Sequence, residues 1–344
     1  MTNLLQSILD LCKKDAISGF EDSLREFLLE KIKPYATEVT TDRMGNILAF
    51  KKGKKPAKKK ILVAAHYDEV GLMVKDITSG GYVKFCAVGG IDPRVLLGKH
   101  VKIGAVRGVI GLIAIHLSGK NGQKNIPKID DLSIDIGVKN KEEAEKLINP
   151  GDPITFDSPA YIEGQALYAK ALDDRFGVAM LLKLLKSDLA YDTHFAFTVQ
   201  EELGLRGAKT ITHRMQFDIV LIAECTTAAD MPDIEGHKAV CALNKGAVIA
   251  CMDGGAIYGH TLFEGIRTLA QKENIPWQIK TKIAGGTDAG AFAAEGFGSK
   301  VCGVSVPVRY LHSPLSCAGL SDIEAADTLL TKLITEGYLS EINL

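Results

Sequence analysis

Two adjacent carboxylates, Glu201 and Glu202, are the residues of the chain with the clearest chemical potential. They follow residues 193–199, an alternating run rich in β-branched and aromatic residues that predicts a buried strand. Ligands of open α/β sheets bind at the carboxyl ends of the strands. Because neighbouring carboxylates repel each other, the pair favours a bound cation, although a solvated strand end would explain these two residues equally well.

Four other stretches place histidine or carboxylate side chains at predicted strand ends or strand-to-helix turns. The apolar strand 61–65 ends in His66-Tyr67-Asp68, and alternation puts the histidine and the aspartate on the same side. The imidazole can then bind a metal while the carboxylate orients the ring. For this motif alone, a histidine of the protein core is an alternative. The further candidates are Asp173 at a helix start, Glu224 after the predicted strand 218–223, and His312 after the predicted strand 300–306.

Together these residues predict a metal centre at one rim of the sheet. Two imidazoles with several carboxylates suit Zn²⁺ or Co²⁺, with Mn²⁺ as an alternative, and the number of candidate ligands fits two ions better than one. Two ions about 3.5–4 Å apart can hold a nucleophilic water and polarise a carbonyl. One of the twin glutamates would then bind metal, and the other would stay free as the general base. For the acidic pair 173–174 taken alone, stabilisation of a helix N-terminus is a sufficient explanation.

The elements that must position these residues predict an α/β fold, in which a mixed-sheet α/β/α domain carries a small inserted β-barrel. Between residues 69 and 163 the segments are short, β-like and punctuated by glycine, which is typical of a small barrel or sandwich. A short helix is expected at residues 141–148. We therefore divide the chain into a catalytic domain, residues 1–68 and 164–344, and an inserted domain, residues 69–163.

Composition argues against several classes of function. The chain has 344 residues, of which 46% are hydrophobic and 24% charged, so it can bury a substantial core. Its net charge of −1 provides no global field for nucleic acid or an anionic membrane. No apolar run has the length of a membrane span, and the first residues show no signal-peptide pattern. Seven cysteines without a C-x-x-C pair predict a reducing, cytoplasmic location.

The lysine-rich run at residues 51–60 is the strongest cluster of charge in the chain. It is short, lies between two predicted strands and contains no aromatic residue. We therefore expect a solvated hairpin loop at this position rather than a nucleic-acid site.

The chain resembles the glutamyl/deblocking aminopeptidase family of co-catalytic metallopeptidases, whose best-known members form tetrahedral dodecamers. Six stretches carry the resemblance and appear in family order: residues 65–71, Gly89-Gly90-Ile91-Asp92, residues 171–175, 200–204, 286–290 and 309–314. The resemblance covers essentially the whole chain. It implies a PDZ-like inserted domain that serves as a lid or an oligomer contact, and a homo-oligomer that could be as large as a dodecamer.

The resemblance also implies two divalent metal ions per subunit. The implied metal ligands are His66, Asp173, Glu202, Glu224 and His312. Asp173 would bridge the ions. The resemblance also implies that the peptide bond between Asp173 and Asp174 is cis. Glu224 departs from the aspartate of many family members, and its longer side chain changes the reach of this ligand.

The implied reaction is the release of N-terminal residues from peptides (EC 3.4.11) through a water bridged by the two ions. Glu201 would be the general base and Asp68 would orient His66. A carboxypeptidase or deacylase could use the same metal core, with Arg309 or Arg94 binding a substrate carboxylate, although pairing of these arginines within the protein is the stronger expectation. A glycan hydrolase and a non-catalytic scaffold are further alternatives.

Overall fold

The fold combines one large mixed sheet with a closed barrel. The computed structural model describes residues 2–114, 116–117, 125–234, 236–283 and 285–342. The strands are β1 (Glu38–Thr41), β2 (Ile47–Lys51), β3 (Ile61–His66), β4 (Gly71–Ile77), β5 (Val83–Val88), β6 (His100–Ile103), β7 (Val106–Gly111), β8 (Ser133–Asp135), β9 (Pro153–Phe156), β10 (Tyr161–Glu163), β11 (Ala166–Ala169), β12 (Thr193–Thr198), β13 (Ile219–Thr227), β14 (Ala247–Ile249), β15 (Trp277–Ile279), β16 (Lys300–Arg309) and β17 (Ser316–Gly319). The α-helices are α1 (Asn3–Cys12), α2 (Asp22–Ile32), α3 (Lys141–Ala144), α4 (Leu172–Lys186), α5 (Arg206–Thr212), α6 (His260–Lys272), α7 (Ala289–Ala294), α8 (Leu320–Thr335) and α9 (Tyr338–Glu341).

The large sheet has the order β1-β2-β12-β3-β13-β16-β17-β11-β10, with β14 and β15 attached beside β16. Its centre, β12-β3-β13-β16, is parallel, so the carboxyl ends of these strands lie at one rim. Alternate residues of β3 enter two different cores. Ile61 and Val63 pack among residues of α1, α4 and α8, whereas Leu62 and Ala64 pack among residues of α5 and α7. Helices therefore cover both faces, and the predicted α/β/α fold class is confirmed.

The barrel is closed by six antiparallel strands in the order β4-β5-β8-β7-β6-β9. Its interior is a separate apolar core that includes Leu72, Phe85, Ile110 and Ile134. A closed barrel leaves no unpaired strand edge, which suits a small unit made of short strands. The chain returns to the large sheet in β10, which pairs with β11.

Three local predictions need correction. The strand predicted at 218–223 continues to Thr227, because β13 pairs with β16 over its whole length, so Glu224 lies within a strand and not after it. The helix expected at 141–148 ends at Ala144. The lysine-rich segment 51–60 is not a hairpin loop, because β2 pairs with β12 and not with β3, so the segment joins two strands that are not neighbours.

No helix among the described residues combines the length and the apolar character needed to cross a bilayer.

Candidate metal centre and active site

A first group of potential ligands lies on and beside the central strands. His66 ends β3, Glu224 projects from β13, and Asp173 stands at the start of α4. One ligand atom from each of the three residues falls within 4.8 Å of the others. His66 Nε2 is 3.2 Å from Asp173 Oδ1, and the side chains of His66 and Glu224 are only 2% and 5% exposed. We call these residues the inner triad.

A second group shares Asp173 with the first. Ligand atoms of Asp173, Glu202 and His312 also lie within 4.8 Å of one another. His312 Nε2 is 3.2 Å from Glu202 Oε1 and 3.5 Å from Asp173 Oδ2. Asp173 therefore directs one carboxylate oxygen at each histidine, which is the geometry of a bridging ligand. We call this second group the outer triad.

Asp68 lies behind the site and contacts both His66 and the turn that carries Glu201 and Glu202. It is fully buried, and its Oδ1 lies 3.4 Å from His66 Nδ1 and accepts the backbone N–H of Glu201 at 3.0 Å. Its Oδ2 accepts the N–H of Glu202 at 3.2 Å and the hydroxyl of Ser18 at 2.6 Å. One carboxylate thus fixes the orientation of an imidazole together with the turn that carries both glutamates.

Glu201 faces the same space but belongs to neither triad. Gln200, two residues after the end of β12, adopts a left-handed conformation (φ 51°), which turns the chain sharply away from the strand direction. Glu201 is 9% exposed and lines a cavity of about 820 Å³. Its carboxylate can also be grouped with His66 and Glu202 within 4.8 Å. Glu201 is therefore close enough to act on a molecule held between the triads.

The electrostatics of the cluster favour a positive charge between these side chains. Burial raises the pKa of Glu224 and of Glu201 well above the ordinary value, and repulsion by neighbouring carboxylates adds to the effect. The buried Glu202 Oε1 lies 3.2 Å from His312 Nε2. Burial lowers the pKa of His312, but its hydrogen bonds to Asp173 and Glu202 outweigh that and raise it to about 11. A donor set of two imidazoles and three carboxylates fits divalent cations.

The backbone around the site is unusual at several points. The bond between Asp173 and Asp174 is cis, as the family resemblance implied. Tyr310 and His312 both adopt positive φ angles, 61° and 57°, in the turn that follows β16. Non-glycine residues rarely adopt this conformation, and strained backbone positions of this kind cluster at active sites.

The two arginines considered for a substrate carboxylate are both paired within the protein. Arg309 donates two hydrogen bonds of 2.7 Å to Asp230, and Arg94 is held by Asp92 of its own turn. The expectation that they pair internally is confirmed.

The structure also places residues at the site that sequence reasoning missed. Lys280 follows β15 and lines the cavity that Glu201 and Glu202 also line, and no motif marks it in the sequence. The carbonyl of Gly90 reaches His312 from the barrel. Only the Gly89-Gly90 stretch pointed to this contact, and it did so without assigning a role.

The large sheet has parallel centre strands, and histidines and carboxylates line one rim of it. The barrel is inserted after β3, which is the first of the centre strands in the sequence. Together these features define a metallohydrolase of the α/β/α class. The model of the M42 glutamyl aminopeptidase family matches residues 45–329. The chain belongs to this family, so it is a hydrolase of the aminopeptidase class (EC 3.4.11), and the family implies divalent metal ions.

Two curated relatives illustrate the range of names in the family. The chain is 30% identical to the lysyl aminopeptidase of Pyrococcus furiosus over 338 residues, which cover 95% of each chain. It is also 30% identical to the glutamyl aminopeptidase of Lactococcus lactis over 350 residues, which cover 96% of each chain.

Solved structures agree over nearly the whole chain. The aminopeptidase APDkam598 from Desulfurococcus kamchatkensis is similar with a TM-score of 0.92 and 33% identity, over 99% of this chain and 98% of that one. The TET1 peptidase of Pyrococcus horikoshii, described as assembling into a tetrahedron or a large octahedral shell, is similar with a TM-score of 0.84 and 34% identity, over 97% and 100% of the two chains.

Proposed function

We propose that this aminopeptidase works with two divalent ions, Asp173 bridging them and Glu201 acting as the general base. The observation that supports this proposal most strongly is the pair of triads that share Asp173. His66 and His312 each face a different oxygen of that carboxylate, so one residue can serve two ions.

In this proposal the inner triad (His66, Asp173, Glu224) would hold one ion and the outer triad (Asp173, Glu202, His312) the other. When bound, the ions supply the positive charge that lowers the pKa of a water molecule and polarises the carbonyl of the first peptide bond. The cluster of buried carboxylates supports this assignment, because bound cations would relieve their mutual repulsion.

Glu201 would accept the proton of the attacking water and later deliver it to the leaving amine. Its position supports this role: the side chain lines the cavity, and its backbone N–H is anchored by Asp68. Asp68 is then a positioning residue, since it holds the turn of Glu201 and Glu202 in addition to facing His66.

The substitution Glu201→Gln tests the base, with Glu202→Gln as the matched control. We expect Glu201→Gln to retain both ions and to lose about 10²–10⁴-fold in kcat on aminoacyl substrates. Glu202→Gln, which removes a ligand, should retain one ion. Full activity of Glu201→Gln would disprove the base, and loss of an ion from that variant would make Glu201 a ligand instead.

The cavity supports a preference for an acidic N-terminal residue. Among the described residues that line it, Lys280 is the one lysine or arginine, and its side chain is largely buried. A cation in this position would attract a glutamate or aspartate side chain of the substrate. The names of the relatives include both glutamyl and lysyl aminopeptidases, so activity across a panel of aminoacyl substrates has to decide.

We further propose that the chain forms a homo-oligomer, with a tetrahedral dodecamer as the candidate assembly. The assembly of the similar P. horikoshii peptidase supports this. We also propose the division into two domains: a catalytic domain of residues 1–68 and 164–344, and an inserted domain of residues 69–163. The barrel would be the lid or the contact between subunits. Light scattering measures the mass of the assembly. Comparing the purified protein with a variant that has substituted barrel residues tests whether the barrel contributes to it.

We expect Zn²⁺ or Co²⁺ to be the active metal, with Mn²⁺ as an alternative, and a cytoplasmic location. All seven cysteines are free, which supports a reducing compartment. Stripping the protein and adding each metal separately would identify the active ion.

The rival functions on the same core are distinguishable. A carboxypeptidase or deacylase would need a cation for a substrate carboxylate. Arg309 and Arg94 are already paired with acids, so Lys280 of the cavity would have to serve. An aminopeptidase should reject N-acetylated peptides that a deacylase would accept. A glycan hydrolase with paired carboxylates would survive chelation, whereas this enzyme should not.

A further inference from the structure

The Gly89-Gly90 turn of the barrel has no role in the proposed reaction, yet it contacts the site directly. The turn follows β5, and the carbonyl oxygen of Gly90 lies 2.9 Å from His312 Nδ1. These two residues are separated by 222 positions in the sequence. The contact therefore joins the barrel to a side chain of the outer triad, which otherwise consists of residues from the large-sheet part of the chain.

The chemistry of this contact determines where the imidazole carries its proton. A carbonyl oxygen can only accept a hydrogen bond, so Nδ1 must be the protonated nitrogen. In the neutral ring the lone pair then lies on Nε2, which faces Glu202 Oε1 at 3.2 Å and Asp173 Oδ2 at 3.5 Å. A lone pair directed at two carboxylates is favourable only with a cation between them. The Gly90 contact thus selects the tautomer that a metal ligand needs.

The barrel is held firmly enough to make this contact reproducible. The backbone N–H of Ser18 donates to the Glu69 carbonyl at 3.1 Å, and the Glu69 N–H donates to the Ala16 carbonyl at 3.0 Å. Lys102 of β6 also reaches the Asp15 carboxylate at 2.8 Å. These contacts fix the start and one side of the barrel against the loop after α1, and so they fix the Gly90 carbonyl relative to the sheet.

We propose that the Gly89-Gly90 turn is a positioning element for His312, so that the barrel completes the outer triad of the catalytic unit. The inference rests on the proposed two-metal function. It assigns the barrel a task inside each subunit, which is separate from any task as a lid or as a contact between subunits.

Two neighbouring glycines offer a matched pair of variants. Gly89 has a φ of +84°, which strains any other residue, and a Cβ there would lie 2.8 Å from Val70 Cγ1. Gly89→Ala therefore strains the turn and must shift either the turn or the Val70 side chain. A Cβ on Gly90 would meet only His312 Nδ1, at an ordinary distance of 3.6 Å, so Gly90→Ala keeps the turn and its carbonyl. We expect Gly89→Ala to bind the second ion about 10–100-fold more weakly, and Gly90→Ala to stay within about twofold.

The direct test is the tautomer of His312 in ¹⁵N spectra of histidine-labelled, zinc-loaded protein, assigned with His312→Gln. We expect protonated Nδ1 and unprotonated Nε2 in the parent protein and in Gly90→Ala. A proton on Nε2 would overturn the inference. The spectra also matter because a Cβ on Gly89 would lie 3.4 Å from Glu202 Cβ, so weaker binding alone could arise through Glu202.

The substitutions His312→Asn and His312→Gln keep the test decisive if Gly89→Ala does not fold. Asparagine can place a donor where Nδ1 lies but offers nothing at Nε2, and glutamine does the reverse. Hydrogen exchange of residues 89–92 should stay slow in His312→Asn and become faster in His312→Gln. Equal exchange in both variants would contradict the proposed contact.

If the parent protein binds no divalent ion at all, the proposed function fails and this inference with it. If it binds two ions but shows the other tautomer, only the inference fails.

Discussion

The two triads share Asp173 but are built very differently. The inner triad takes His66 and Glu224 from neighbouring parallel strands whose backbones are hydrogen-bonded to each other, and both side chains are almost fully buried. In the outer triad, Glu202 lies in a turn. His312 has a left-handed backbone conformation, and its side chain is 32% exposed. His312 also depends on a carbonyl of the barrel. Side chains on paired strands are held by many backbone bonds, whereas turn residues are held by a few specific contacts.

This difference means that the inner triad is preorganised by the sheet and the outer triad by local contacts. Ligands already in position lose little freedom when they bind an ion, so the inner ion should bind more tightly. The outer ion should respond more strongly to changes in its surroundings. The variants and conditions that follow test this contrast.

The largest effect is expected from Asp173→Asn, which removes the charge that both triads share. The variant should bind neither ion at stoichiometric levels, and turnover should fall by about 10³-fold or more. Metal analysis beside an aminoacyl assay checks both, and Asp188→Asn at an exposed position is the control. If Asp173→Asn retains two ions, the two triads do not share this ligand.

Substitution of Lys280 should change substrate preference without changing either triad. In Lys280→Met we expect the ratio of kcat/KM for glutamyl over leucyl substrates to fall about 10–100-fold, because an ion pair with the substrate is lost in a largely buried cavity. Metal content should stay as in the parent. Lys282→Met, which changes an exposed lysine of the same segment, should leave the ratio unchanged. An unaltered preference in Lys280→Met would remove the acidic-substrate proposal.

Chelation should remove the ions in order, the outer one first. Titration with a chelator, followed by metal analysis of the protein, should show two steps separated by about tenfold in chelator concentration, because second-sphere contacts support ligands to this degree. In Glu202→Gln the first step should be missing, and in Glu224→Gln the second. A single step in the parent protein would mean that the triads are equivalent.

The smallest effect concerns the contact of the barrel with the loop after α1. Burial raises the pKa of Asp15, but Lys170 and Lys102 outweigh it, so the folded-state pKa is below the ordinary value. Because a lowered folded-state pKa stabilises the fold fully only above the unfolded value, this stabilisation is present at neutral pH. It is lost as the pH falls from about 4 down through the lower folded-state pKa. Asp15→Asn should lower the free energy of unfolding by about 0.2–1 kcal/mol at pH 7. In thermal unfolding, the difference between the two proteins should shrink steadily as the pH is lowered below about 4, and a difference that stays constant there would contradict the charge-based account.

The sequence predicted the ends of the parallel strands better than it predicted the contacts between distant turns. His66 and Glu202 follow predicted buried strands and Asp173 stands at a predicted helix start, so their meeting at one rim could be expected. Glu224 was placed after its strand because a buried charge within a strand has no signal in the apolar pattern. The hairpin at residues 51–60 was wrong because β12, from a distant part of the chain, inserts between β2 and β3.

The remaining features depend on tertiary contacts that carry no local signal. Lys280 is one lysine among many, and only the fold turns it toward the cavity. The Gly90 carbonyl belongs to the backbone, so no side-chain pattern could have related it to His312. Motifs of glycine indicate that a backbone must come close to something, but they do not indicate to what.

An anomalous-scattering map of crystals grown with Zn²⁺ would test the shared-ligand arrangement most directly. Two peaks about 3.5–4 Å apart are expected, one among His66, Asp173 and Glu224 and the other among Asp173, Glu202 and His312, with Glu201 bound to neither. A single peak, or a peak coordinated by Glu201 in place of Glu202, would contradict the account.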